Sequence, residues 1–141
     1  MFQRNRARGY SLVEILLVLA IIGILSGIAI PSYLGQRRRA RVIGDAISNA
    51  KVVQMALESR KAENGVYGAA DTYAWTLGVA DAKATALLPA LATLGGSKMT
   101  YSLVIDASGI TYTLTAFDPS LSATIPAYQT NQAGTELARM Q

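Results

Sequence analysis

Glu14 is the residue whose position most needs a chemical reason. It stands at the near edge of the run VEILLVLAIIGILSGIAIP, and no charged residue follows from Ile15 to Ile30. An ionised side chain costs about 3 kcal/mol at the centre of a membrane span, and less toward its ends. Two generic explanations exist. The N-terminal end of a helix favours a carboxylate, and a long side chain at a span's edge can snorkel to water. The residues just before Glu14 suggest a third. Positions 1–9, MFQRNRARG, are short, basic and polar, like the leading region of an export signal. In an ordinary signal the scissile bond follows the apolar stretch. Here the candidate junction, Gly9–Tyr10, precedes it, so cleavage would leave the span in the mature chain. A glycine there could serve as a plain linker, but it also lets a protease approach the backbone closely.

The remaining composition removes many chemistries. The chain of 141 residues has no cysteine and no histidine. Disulfides and zinc–cysteine sites are therefore impossible, and the commonest general base and metal ligand is missing. The carboxylates Asp106, Asp118 and Glu136 are scattered, and no calcium-loop spacing occurs. An enzyme stays open on composition, but the cheap routes to one are gone, and no catalytic residue, cofactor or metal is assigned. Net charge is +4, but seven of the thirteen bases sit in two clusters. Arg4, Arg6 and Arg8 precede Gly9, and Arg37, Arg38, Arg39 and Arg41 follow the apolar run. The rest of the chain is slightly acidic.

The elements that must carry these residues follow from periodicity. Leu12 to Ile30 is long enough to cross a hydrocarbon core of about 30 Å as a helix. Pro31 removes one backbone bond and crowds the carbonyl of Gly27, which predicts a weak point and not a stop. Beyond it, Ile43, Ile47, Ala50, Val53 and Leu57 recur at helical spacing, with charges between them. Asn64-Gly65 is a strong C-terminal signal. Residues 99–105 and 110–117 alternate apolar and polar types around Asp106-Ala107-Ser108-Gly109, which predicts a β-hairpin. A further strand is expected near 121–125. The Ala-rich stretch 66–96 reads as loop with one short helix, and Trp75 within it as a packing residue. The expected class is α+β, a long N-terminal helix packed against a small antiparallel C-terminal sheet. Its parts are a leader (1–9), a span (10–31), an amphipathic helix half (32–64) and a globular loop-and-sheet region (65–141).

The pattern Gly9 | Tyr10-Ser11-Leu12-Val13-Glu14, followed by ILLVLAIIGILSGIAIP, resembles the N-terminus of type IV pilins and pseudopilins. In that family a basic leader ends in glycine, the first mature residue is usually phenylalanine, and the fifth is glutamate. Tyr10 is a departure within the aromatic class. Asn64-Gly65-Val66-Tyr67-Gly68 resembles the family's NGxYP signature, with Gly68 in place of proline. The first match covers about a third of the chain and is the specific one.

The resemblance implies cleavage after Gly9 by a prepilin peptidase and N-methylation of Tyr10. It also implies polymerisation into a helical filament at an inner-membrane assembly platform driven by a cytoplasmic ATPase. The precursor would sit in the inner membrane with its leader cytoplasmic. The mature subunit would sit in a surface pilus, or in the periplasm for a type II secretion pseudopilin. A filament core holds little water, so the Tyr10 amine of one subunit and Glu14 of its neighbour would satisfy each other. A misregistered subunit would leave a buried charge unpaired, so the pair would set axial register.

Gly23 and Gly27 make a G-x-x-x-G that admits close helix approach, or else merely loosens the helix. Family filaments unwind partly in this zone. The cluster Arg37–Arg41 reads first as a collar facing lipid phosphates. Its rivals are a basic filament surface or an ion-pair partner between subunits. Nucleic acid is a further possible partner, with little support from one short arginine run. Asp118-Pro119-Ser120-Leu121-Ser122 offers loop oxygens, but such residues are usually turn formers. The favoured reading is a pilus subunit. The alternatives are a pseudopilin, a minor or competence pilin, or a membrane-anchored enzyme or sensor.

Overall fold

The computed structural model describes residues 10–94, 98–122 and 124–140. They fall into two compact units, residues 1–38 and 39–141. A single helix, α1 (Leu12–Asn64), runs through both. Ser11 starts it. The Ser11 Oγ accepts a hydrogen bond from the Glu14 N–H at 3.3 Å, and its carbonyl accepts from Glu14 and Ile15. Ser followed three residues later by Glu is the sequence pattern of a capping box. Pro31 lies inside α1, which continues past it. Gly65 ends the helix as expected. It adopts φ 79°, and its N–H donates to the Lys61 carbonyl at 2.8 Å. Only glycine takes that left-handed conformation at little cost.

In the unit of residues 1–38, the helix from Leu12 to Leu34 is apolar on every side and exposed throughout, apart from half-buried Ser26. A helix apolar all round has no water-facing side to prefer.

The unit of residues 39–141 contains the remainder of α1 and an antiparallel sheet. Its strands are β1 (Thr72–Thr76), β2 (Val79–Ala80), β3 (Thr100–Ile105), β4 (Tyr112–Phe117), β5 (Tyr128–Asn131) and β6 (Glu136–Arg139). Their spatial order is β2-β1-β3-β4-β5-β6. A short helix, α2 (Ala82–Leu87), follows β2. Asp81 caps it by accepting from the Ala84 N–H. A 3-10 turn, Pro89–Leu91, comes next.

The predicted hairpin is β3–β4, with Ile105 opposite Tyr112 and Thr100 opposite Phe117. Tyr101, Leu103, Ile105, Tyr112 and Leu114 point inward as their alternation required, whereas Ile110 lies before β4 in the turn and is exposed. Two expectations are corrected. Residues 121, 122, 124 and 125 form a turn, and the strands lie later, as β5 and β6. Residues 66–94 are not mainly loop, because β1 and β2 lie there. Tyr73 and Trp75 alternate inward in β1, and β1 pairs along β3. The alanines around this strand hid an ordinary Thr-Tyr-Ala-Trp-Thr alternation.

The core lies between α1 and the sheet. Ala46, Ala50, Val53 and Leu57 form the buried helix stripe, facing Tyr73, Trp75, Tyr101, Leu103, Leu114 and Tyr128. The predicted stripe is right at Ala50, Val53 and Leu57. Ile47 is only partly buried, Ile43 is half-exposed, and Ala46 and Gln54 replace them in the interior. Small alanines let the helix approach the bulky aromatic face of the sheet, where a larger side chain would overpack.

Candidate functional site

The N-terminal site is built on the first turn of α1. Tyr10 is 80% exposed and Glu14 is also exposed, with Ser11 capping between them. Glu14 is thereby held by its backbone N–H at the start of α1. It stands in the first helical turn, where the helix dipole favours a carboxylate. Gly9 lies outside the described residues, as do the leader arginines.

Behind this turn, the helix reaches a mean hydropathy of 2.7 over its most apolar window, and none of that window is buried. Among the described residues it is the one helix long and apolar enough to cross a membrane. Gly23 and Gly27 are open. A Cβ added at either would meet nothing within 4 Å beyond its chain neighbours and the helix's own nearby backbone. Arg37, Arg38, Arg39 and Arg41 are all exposed.

The Asn-Gly-x-Tyr segment has a structural explanation. Tyr67 is buried, and its hydroxyl donates to Glu58 at 2.7 Å. Its ring meets Tyr112 edge-to-face at 4.8 Å, and the Lys61 ammonium lies 4.6 Å from the ring centroid. Burial, then the bond to Glu58, pushes the Tyr67 phenol well above the ordinary tyrosine range. Burial, then the Glu58 charge, pushes Tyr112 up to about 12. The segment therefore stops α1 and fastens the chain that leaves it. The Tyr67 N–H also donates to the Gly109 carbonyl at 2.8 Å. Gly109 has φ 69°, and a Cβ there would come within 2.9 Å of the Gly68 carbonyl. At Gly68 a Cβ would lie 2.6 Å from a terminal methyl of Leu87 and 3.1 Å from one of Ile105, so a side chain there requires these two to shift. The departure from proline at position 68 thus coincides with tight packing by these two side chains.

A polar link crosses the core beside these contacts. Gln54 is buried, and its amide donates to the Thr130 Oγ at 3.2 Å and the Asn131 carbonyl at 3.0 Å. Lys51 donates to the Gln54 Oε1 at 2.9 Å. These bonds tie α1 to β5 in a chain that has no disulfide to do so. Sequence reasoning missed Gln54 because a polar residue on an apolar stripe reads as an interruption. Trp75 is fully buried, and its indole N–H donates to the Leu91 carbonyl at 2.8 Å, as a packing residue should. Asp118 is a turn former, its Oδ1 accepting from the Ser120 N–H and hydroxyl.

The prokaryotic N-terminal methylation motif matches residues 4–30. Over 56 residues the chain is 38% identical to fimbrial protein Q of Moraxella bovis, covering 38% of this chain and 36% of that one. Over 65 residues it is 31% identical to the type II secretion system core protein G of Aeromonas hydrophila, covering 46% and 45%. Over 62 residues it is 39% identical to the type IV major pilin protein of Myxococcus xanthus, covering 44% and 28%. The matches span less than half the length of these curated relatives. No solved structure matches at comparable stringency. The chain therefore carries the N-terminal methylation motif at residues 4–30 and is similar over part of its length to type IV pilins and to the type II secretion core protein G.

Proposed function

We propose that this chain is a structural subunit of a type IV pilus. Peptidase cleavage after Gly9 and N-methylation of Tyr10 prepare it, and it polymerises through the N-terminal part of α1. The observation that carries the reading is the methylation motif on a helix whose apolar surface is exposed on all sides. Such a surface needs a continuous apolar surrounding. Lipid supplies it before assembly, and copies of the same helix supply it afterwards. In a filament core Glu14 pairs with the Tyr10 amine of a neighbour, so each charge is tolerable only in register. Gly23, Gly27 and Pro31 are the weak points where the helix yields during that transfer. The assembly platform and its ATPase belong to this proposal, and no enzymatic role is assigned. Nucleic acid stays outside it, because the arginine run lacks interleaved aromatics.

A second reading, a pseudopilin of a type II secretion system, is favoured by the core protein G matches from several bacteria. One experiment tests both. The intact mass and N-terminal sequence are measured on protein from the native host, comparing membranes with sheared surface filaments. A chain starting at methylated Tyr10 in the sheared fraction supports the pilus. The same chain confined to the envelope supports the pseudopilin. An intact leader in mature material overturns both.

A further inference from the structure

The start of α1 lies close to the proposed cut. Ser11 is the last residue before the helix, and neither it nor Tyr10 is helical. The Ser11 Oγ accepts from the Glu14 N–H at 3.3 Å, and the Ser11 carbonyl accepts from the N–H groups of Glu14 and Ile15 at 3.1 and 3.2 Å. This is an N-cap. Its side chain takes an orphan donor of the first turn, while its own carbonyl opens the backbone ladder. Among the described residues the ladder thus opens at Ser11. Tyr10, just before it, is 80% exposed.

The scissile carbonyl, that of Gly9, stands two positions before the carbonyl that opens the ladder. A peptidase must bring water to that carbonyl carbon. A carbonyl engaged in a helix is shielded by its hydrogen bond and by the turn that follows. Nothing in the types of the two preceding residues stops the helix at Leu12. Tyrosine is tolerated inside a helix, and glycine is an acceptable N-cap, so a helix starting at Tyr10 with Gly9 as its cap is the nearest competitor. In that competitor the Gly9 carbonyl accepts the first helical hydrogen bond. The Ser11 cap weighs against it.

We infer that Ser11 is a positioning residue for processing. Its cap starts α1 clear of the scissile carbonyl and keeps the Gly9–Tyr10 bond out of the helix. The inference rests on the filament-subunit reading for the cleavage itself. In that step water adds its oxygen to the Gly9 carbonyl carbon, the bond from that carbon to the Tyr10 nitrogen breaks, and a proton passes to the freed amine. Ser11 touches none of these atoms. It acts by deciding where the helix begins.

The test incubates purified full-length chain in detergent with membranes from the native host. Appearance of the chain starting at Tyr10 is timed by intact mass. Ser11→Ala is expected to slow cleavage about fivefold, the factor that corresponds to about 1 kcal/mol of lost capping. Ser11→Leu should slow it at least as much. Ser11→Asn, an equally good cap, should stay near wild type. So should Ser11→Gly, which lacks the hydroxyl but starts a helix nearly as well. The backbone carbon shifts of Gly9 and Tyr10, read in the same detergent, should move toward helical values in Ser11→Ala and not in Ser11→Asn. Cleavage of Ser11→Ala at the wild-type rate overturns the inference. So does slowing without any change in the carbon shifts. Equal slowing of every variant also overturns it, because the hydroxyl would then be a direct contact of the peptidase. Wild-type chain left uncut after Gly9 sinks the filament reading and this inference with it, a failure distinct from wild type and Ser11→Ala being cut equally fast.

Discussion

The two ends of α1 use similar residues for opposite purposes. From Leu12 to Leu34, leucine, isoleucine and valine are exposed on every side. From Ala46 to Leu57, a narrow stripe dominated by alanine, valine and leucine is buried under a sheet of the same chain. The first region must find its apolar surroundings outside the chain, and the second carries its own. Hydrophobic burial therefore drives folding at one end and, on the proposed reading, association at the other. Substitutions should separate these effects.

The largest expected effect concerns association. In the proposed filament, Glu14→Leu would leave a neighbour's amine buried without a partner, a loss of about 3–5 kcal/mol for a buried pair. Sheared filament should fall by on the order of 100-fold or more, while membrane insertion and processing persist. Wild-type filament yield from Glu14→Leu would remove the pairing role. Next comes folding. Trp75→Ala should cost about 3–5 kcal/mol in denaturant unfolding of the full chain in detergent. Leu16→Ala, in the exposed stretch, should leave that transition unchanged. Equal effects from the two substitutions would erase the distinction between the ends.

Gln54→Leu sharpens the comparison inside the second region. It strips Thr130 and the Asn131 carbonyl of their donor and should cost about 1–3 kcal/mol. Faster hydrogen exchange should appear first in β5 and β6, and uniform exchange across the sheet would argue against a local tie. The smallest effect is one of pH. Burial favours the protonated phenol, so the folded Tyr112 titrates near 12, against 10.0 for the unperturbed group. Its contribution is fully present below pH 10 and is lost as pH rises toward 12. Glu58→Gln should bring tyrosinate absorbance in at lower pH, because the Glu58 charge raises both Tyr67 and Tyr112. An unchanged titration would mean that Glu58 does not act on these phenols.

Much of this arrangement was readable residue by residue. Gly65 announced the end of α1 because its left-handed φ is a local property of glycine. The β3–β4 hairpin was visible in its strict alternation on both sides of Asp106–Gly109. β1 was not, since its two buried aromatics sit among alanines and its pairing partner, β3, lies some thirty residues away. β5 escaped for a related reason. Its Tyr-Gln-Thr-Asn sequence is polar, and only Gln54 from α1 makes Thr130 a buried residue.

At the N-terminal end, the amino-acid sequence alone determined the cluster Gly9, Tyr10 and Glu14, the apolar span and the basic flanks. These depend on order, spacing and hydropathy along the chain, where each residue's neighbours are known from its number. Tertiary structure decided which helix face is buried, why alanine and glutamine belong on it, and why residue 109 favours glycine. Those outcomes depend on volume and hydrogen bonds shared between residues distant in the chain. No local pattern carries that information until the sheet and α1 close on each other.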